Sequence, residues 1–589
     1  MGQFFKFLFA SILGVIIGFF LLFIILISIG AAVSSSPKAE IKSNSILKLD
    51  LNAPMLERSG NDPFSDLDIP GFPSSSTVGL DKVLAAIKNA KTDEKIEGIY
   101  LPNAVFGGSF AQAEEVRNAL ISFKESGKFI VSYSEVYTQK AYYLASVADS
   151  IWLNPAGYFD FKGLSTVPMF FKGMLDKLEI DAQIIKVGNY KSAAEPFIRK
   201  DLSEYNKEQI SSFLGSMYTT FISGISASRG ISEEELRAIS NELKVRTPLD
   251  AVAQKLVDKL YYEDQVLASL SNLCGVESEK KMKFVSVKKY NSAISRKGYN
   301  ASKNKVAVIY ASGQIIDGES TSDEQFMGSK TLAEEIRKAR KDDKIKAIVL
   351  RVNSPGGSAL ASDVMCRELK LASQVKPLVV SMGGVAASGG YYISAPASKI
   401  FAQPNTITGS IGVIGIIPNM KGFFNNKLGI TFDEVKTGKY ADYLTGVGRP
   451  LREDEKAILQ ASTNKVYEDF TSVVAEGRNI PQDRVKELGG GRVYSGTEAL
   501  TLGLVDEIGG LEDAINEAVK QAELSEYKII SLPVQKDPIQ EMMKSMGNVS
   551  VGKIIEWKLG EDFAIYHQIE KIRKISGIQA IMPMELDVN

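Results

Sequence analysis

Histidine is almost missing from this chain: His567 is the single one in 589 residues, and cysteine occurs only at Cys274 and Cys366. One imidazole and two scattered thiols cannot supply the nitrogen and sulfur ligands of an ordinary zinc site, which argues against metal-assisted hydrolysis. Two cysteines cannot build a disulfide framework either, and their apolar, helix-like surroundings read as buried thiols. An excess of one charge is also lacking, because 69 Lys and Arg stand against 70 Asp and Glu for a formal net charge of −1. No strongly basic face is available for a phosphate backbone, so nucleic acid is set aside as a partner.

Apolar residues are plentiful at 44%, enough for a sizeable core, and 49 glycines call for many tight turns. From Phe7 to Val33 the run FLFASILGVIIGFFLLFIILISIGAAV carries no charge. As a helix rising about 1.5 Å per residue it reaches about 40 Å, more than a hydrocarbon core needs. The apolar region of a cleaved signal peptide is only about 7 to 15 residues long. Residues 1–45 are therefore expected to be a retained single-pass anchor, with Lys6 and the N-terminal amine inside and the rest of the chain outside the cytoplasm. Gly14 and Gly18 have the GxxxG spacing at which a second helix could pack.

Length alone suggests about four domains, but the chain repeats itself. LDKVLAAIKNAKTDEKIEGIYL at 80–101 matches TLAEEIRKARKDDKIKAIVL at 331–350, and the pairs Ile96/Ile345, Gly107/Gly356, Tyr142/Tyr391 and Arg229/Arg478 all stand 249 residues apart. Gly188/Gly438 and Asp258/Asp506 hold that register to within one residue. Residues 46–290 and 304–530 are read as two copies of one domain, joined by the polar NSAISRKGYNASKNK and followed by a tail over 531–589. Within each copy, β-rich runs such as VAVIYA, AIVLRV and PLVVSM alternate with helical patterns, so the expected fold class is α/β with a parallel sheet.

In GGVAASGGYY, residues 383–392, Ser388 follows a strand-like run and precedes a helix-like one, where the amides of a helix N-terminus are free. NSPGGS follows AIVLRV, and its glycines let backbone amides approach a bound group closely. Side by side, the two turns would form an oxyanion hole; the same small residues also suit plain helix-on-strand packing, and spacing does not choose between these. His567 lies in the tail beyond both copies and is read as structural, so a base for Ser388 would be a carboxylate or a lysine. The position of Ser388 is held by Gln139 in the first copy, while Lys191, in VGNYKSAAEPF, corresponds to Ala441 in the second. Each copy lacks what the other has, as expected when a duplicated enzyme builds one site from two halves. A lysine base must be desolvated to fall well below its reference pKa of about 10.4.

Taken together, GNYKSAAEPF, SPGGS, AASGGYYISAPA, TGSIGV, GLVDEIGG and the closing IQAIMPMELDV resemble the signal peptide peptidase A (protease IV) family of Ser/Lys peptidases, in its long duplicated bacterial form. The resemblance spans nearly the whole chain. It implies tandem ClpP/crotonase-like domains of stacked β-β-α units behind an N-terminal transmembrane helix, assembled as a homotetramer on the periplasmic side of the bacterial inner membrane. By the same resemblance Ser388 is the nucleophile, Lys191 the general base and Ser410 the hydroxyl that holds the lysine amine. The backbone N–H groups of Gly356 and Gly389 serve the oxyanion, with Gly357 a competitor for Gly356. Remnant signal peptides are the implied substrates, the lipid bilayer and further copies of the chain the implied partners, and neither metal nor cofactor is implied. An extended peptide added beside a strand edge is the expected binding mode. Two other readings are a crotonase-like acyl-CoA enzyme, which the anchor and the Ser/Lys complementarity disfavour, and a non-catalytic membrane scaffold in which Ser388 and Lys191 merely pack.

Overall fold

A computed structural model of the chain describes residues 2–34, 41–60, 77–278, 281–294, 302–320, 325–535 and 579–582. His567 and most of the tail lie outside the described residues.

The duplication seen in the sequence recurs element by element. In the helix Leu80–Thr92, apolar residues three and four apart (Leu80, Val83, Ala86, Ile87 and Ala90) are buried, and the strand Ile96–Leu101 that follows has five of its six residues buried. Such a strand suits a parallel sheet covered on both faces. A shift of 249 residues carries this pair onto the helix Ser329–Lys341 and the strand Ile345–Ser354. The same shift carries Phe110–Lys124 onto Ala359–Ser373 and Glu204–Arg229 onto Glu453–Arg478. The two 26-residue helices stop in the same way, at Gly230 and Asn479, both left-handed, the conformation that closes many helix C-termini.

The first copy folds around a six-stranded parallel sheet in the order Lys259–Leu260, Ser150–Phe159, Phe129–Tyr137, Ile96–Leu101, Ser45–Lys48, Lys283–Ser286. In the second copy, Ile345–Ser354 runs parallel between Lys305–Ser312 and Leu378–Ala387, and Lys528–Leu532 extends the sheet beyond Lys305–Ser312. The expectation of a tandem α/β architecture is met. NSPGGS differs from its expected plain turn. Gly356–Ser358 forms a short strand before the helix Ala359–Ser373, paired to Ile315 on one side and to Gln579–Ile581 on the other.

Two of the features that join the copies bear on the site. The strand Asp181–Val187 of the first copy pairs antiparallel with Val413–Asn419 of the second over seven residue pairs, from Val187/Val413 to Asp181/Asn419. From the second sheet, the fully buried Arg351 reaches two buried carboxylates of the first copy. Its Nε lies 2.7 Å from Glu57 Oε2 and its Nη2 2.5 Å from Glu115 Oε1, while Nη1 donates to Ser381 Oγ at 2.8 Å.

Both cysteines are buried and free, and burial pushes the thiols up to about 11 for Cys274 and about 12 for Cys366. They are inert packing groups at neutral pH. The uncharged N-terminal run lies within a 33-residue helix, Gly2–Ser34. Among the described residues no helix is long and apolar enough to cross a membrane; many side chains of Gly2–Ser34 lie outside those residues.

Candidate active site

Ser388 sits at the joint between the strand Leu378–Ala387 and the helix Gly389–Ser394, with φ 55° and ψ −114°. That conformation is costly for any residue with a Cβ, and it persists only where the surroundings enforce it. Here the Ser388 N–H donates to Gly409 O at 2.8 Å and the Tyr392 N–H donates to Ser388 O at 2.8 Å. The neighbouring glycines are required by space. A methyl on Gly389 would lie 2.6 Å from Ser362 Oγ, and one on Gly390 would lie 2.7 Å from Ser354 O.

Lys191 reaches this serine from the other copy. Its strand, Asp181–Val187, is locked to Val413–Asn419, and the chain then turns at Gly188 (φ 92°), where a methyl would lie 2.3 Å from Gly490 Cα. Lys191 Nζ ends 2.8 Å from Ser388 Oγ, 2.9 Å from Ser410 Oγ and 3.0 Å from Ser410 O. All three side chains are fully buried, and burial drives the Lys191 amine well below its ordinary value of 10.5. Burial thus favours the neutral amine, which has two N–H donors and one lone pair.

Ser410, itself at φ 48°, is pinned by its N–H to Arg492 O at 2.6 Å, and its hydroxyl donates to Gly491 O at 3.3 Å. Its Oγ thus remains an acceptor. In its neutral form the amine has two N–H groups for the carbonyl and hydroxyl oxygens of Ser410 and a lone pair for the Ser388 hydroxyl.

Gly356, not Gly357, stands beside Gly389. A methyl on Gly356 (φ 95°) would lie 2.7 Å from the Gly389 nitrogen, whereas one on Gly357 would lie 2.0 Å from Ile315 O in the neighbouring strand. The Gly356 N–H donates to Ser354 Oγ at 3.2 Å.

The corresponding place in the first copy is plugged. Gln139 is buried there; its Nε2 donates to Gly163 O at 2.8 Å and its Oε1 accepts from the Lys162 and Gly163 amides. Gly163 is the counterpart of Gly412, whose carbonyl lies 3.5 Å from Ser388 Oγ. Ala441, the counterpart of Lys191, is exposed on a loop. The molecule therefore assembles one Ser/Lys pair from its two copies.

Residues 122–277 and 370–525, one stretch in each copy, match the model of Peptidase family S49. This chain belongs to that family. It is 36% identical over 520 residues to Protease 4 of Haemophilus influenzae, covering 86% of this chain and 83% of that protein. It is 35% identical over 548 residues to Protease 4 of Salmonella typhi, covering 90% and 87%. The chloroplastic serine protease SPPA of Arabidopsis thaliana is 32% identical over 513 residues, covering 86% of this chain and 74% of its own. As a member of family S49 the chain is a serine protease. A point mutant of ClpP1 from Listeria monocytogenes aligns with 35% of this chain and 94% of its own at 18% identity and a TM-score of 0.24, too remote to carry an argument.

The glycine run 489–491 is a part of the S49 site that sequence reading passed over. A methyl on Gly491 (φ 87°) would lie 2.6 Å from Lys191 Cβ and 2.7 Å from its Cα and nitrogen. Three successive glycines were the available signal, since backbone packed against backbone tolerates no side chain. Gly491→Ala is expected to displace both Lys191 and the carbonyl that orients Ser410, lowering kcat at least about tenfold in a protein whose circular dichroism is unchanged. Wild-type kcat in that variant would show that the loop only covers the site.

Proposed function

We propose that this S49 protease is a membrane-anchored endopeptidase in which Ser388 attacks the peptide carbonyl and Lys191 is its general base. Remnant signal peptides left in the bilayer are its substrates. The observation that carries the reading is the buried amine of Lys191, 2.8 Å from Ser388 Oγ and 2.9 and 3.0 Å from the two oxygens of Ser410. A neutral amine held in this way can only accept the hydroxyl proton, which is what a general base must do.

The Ser388 hydroxyl passes its proton to Nζ as Oγ bonds to the carbonyl carbon of the scissile peptide. Negative charge on the carbonyl oxygen is met by the N–H of Gly389 and by that of Gly356, turned from its long bond to Ser354 Oγ; such a donor is worth about 3 kcal/mol. The ammonium then gives its proton to the departing amine, leaving an acyl-enzyme on Ser388. Water attacks that ester while Nζ takes its proton, and Ser388 is released as the hydroxyl. Ser410 keeps the amine aimed throughout.

The uncharged run Phe7–Val33 supports a single-pass anchor in the bacterial inner membrane with the two copies on the periplasmic side, and anchoring raises the local concentration of enzyme around membrane-bound peptides. Exposed apolar side chains on two loops, Val167 and Met169 on one and Phe432 and Val435 on the other, support assembly with further copies as a homotetramer.

Reaction with a fluorophosphonate tests the site. Mass spectrometry is expected to find the adduct on Ser388, with an inactivation rate that rises with pH along a single ionisation and levels off below pH 10.5, as Lys191 loses its proton. An adduct elsewhere, or a rate unchanged across that range, refutes the dyad. Cleavage of a leucine-rich signal peptide in lipid vesicles, with no protection by acyl-CoA, is the matching expectation for substrate.

A further inference from the structure

The most revealing contact made by the tail is with the active site itself. Gln579–Ile581 forms a strand antiparallel to Gly356–Ser358, pairing Gly356 with Ile581, Gly357 with Ala580 and Ser358 with Gln579. On its other side it meets Val413–Asn419 through Ile414 and Gln579. The Met582 N–H then donates to Pro355 O at 2.7 Å. Gln579, Ala580 and Met582 are buried, and Met582 joins an apolar cluster that includes Ala387, the residue before Ser388, together with Ile407 and Val493.

The register places a tail peptide group against the oxyanion glycines. The Ala580 carbonyl oxygen lies 2.1 Å from where a methyl on Gly356 would be and 3.2 Å from where one on Gly389 would be. A peptide substrate added as a strand needs this same ladder, since the Gly356–Ser358 strand lies beside Gly389, the residue that follows Ser388, with a methyl on Gly356 falling 2.7 Å from the Gly389 nitrogen. One edge cannot pair with two strands at once.

We propose that the segment Gln579–Met582 is an internal competitor: it fills in cis the groove through which a peptide reaches Ser388, and it must leave before a substrate enters. The inference rests on the peptidase reading for its consequence, but the competition itself is a binding event. A tethered segment acts at an effective concentration of the order of millimolar. If its intrinsic dissociation constant is about 0.1 mM, external peptides are weakened about tenfold. The competitor raises apparent KM and leaves kcat alone, because the open form is the ordinary enzyme.

The test uses a fluorescein-labelled peptide with the sequence of residues 578–589, IQAIMPMELDVN, and the Ser388→Ala background, so that nothing is cut. A chain ending at Gly577 is expected to bind the probe about tenfold more tightly than the full chain. The full chain with Met582→Asp, which loses the buried apolar anchor and keeps every other residue, is expected to move the same way and serves if the shortened chain does not fold. With Ser388 restored, both changes are expected to lower KM for a short chromogenic peptide at unchanged kcat. Equal probe binding in all forms, or no binding to any, overturns the competitor. Loss of hydrolysis in every form with the binding difference intact would instead count against the peptidase reading.

Discussion

Lys191→Met is expected to lower kcat by about 10⁴-fold or more, comparable to Ser388→Ala, while the protein still folds. Methionine matches the lysine stem but has no lone pair basic enough to take the Ser388 proton. Because the two residues act as one unit, the double substitution is expected to cost little more than either alone. Steady-state cleavage of a peptide substrate by all three variants checks this; kcat within tenfold of wild type in either single variant would remove Lys191 or Ser388 from the chemistry.

The same substitution carries a second, independent signature. Burial depresses the native pKa of Lys191 well below 10.5, whereas the unfolded lysine keeps its ordinary value. Between those two values the unfolded state holds one more proton than the native state, so the contribution of Lys191 to stability becomes more favourable as pH rises, and it is flat below the native pKa. The stability difference between wild type and Lys191→Met is therefore expected to grow in favour of wild type by up to about 1.4 kcal/mol per pH unit within that window. Urea unfolding at pH 7, 8 and 9 reads it. A constant difference across the three would mean that the amine is protonated in the native protein, and the proton route from Ser388 would fail.

Arg351→Met is expected to destabilise the protein by about 3–5 kcal/mol at pH 7, the usual cost of leaving buried charges without their partner. Two carboxylates lose their cation at once. Gln112 Nε2 still donates to Glu57 at 2.9 Å and the Leu511 N–H to Glu115 at 3.1 Å, but neither carries charge. Burial already pushes the Glu115 carboxyl up, against the pull of Arg351, and in the variant that pull is gone. A carboxyl whose native pKa lies above its unfolded value destabilises increasingly as pH rises through that interval. The defect is therefore expected to shrink as pH falls toward about 4.5 and to level off below it, and Glu57→Gln with Glu115→Gln added to Arg351→Met is expected to restore much of the loss. A deficit under 1 kcal/mol in urea unfolding at pH 7 would show that the cluster is not a clamp between the copies. Activity is expected to fall with stability, since the strand carrying Arg351 continues to Ser354 and to Gly356, the proposed oxyanion donor.

Periodicity and register explain why the architecture was readable. Apolar spacing in 80–101 and 331–350 marks a helix followed by a strand, and the constant 249-residue offset predicts that the second copy repeats the first, which it does down to the two left-handed helix ends. The same offset exposed Gln139 at the serine position and Ala441 at the lysine position, so the division of one site between two copies was legible. The plugging of the first site by Gln139 was not, because it depends on where the amide side chain finds the Gly163 peptide. The strand pairing that carries Lys191 across was hidden as well. Asp181–Val187 and Val413–Asn419 are not counterparts in the repeat, and nothing in either string announces a ladder between them.

By itself, the sequence determined which chemistry is possible: a single distant histidine, no metal ligands at usable spacing, one serine at a strand-to-helix joint and one lysine present in only one copy. Those are local facts, set by residue type and spacing. Only the tertiary structure decided that the amine meets the hydroxyl at 2.8 Å in a fully buried place, that Ser410, itself held by Gly491, stands 2.9 and 3.0 Å from the same amine, and that the tail pairs with Gly356–Ser358. The reason is physical. Desolvation, which favours the unprotonated lysine that can accept a proton, belongs to the packing of two halves against each other and cannot be assigned to any one stretch of chain.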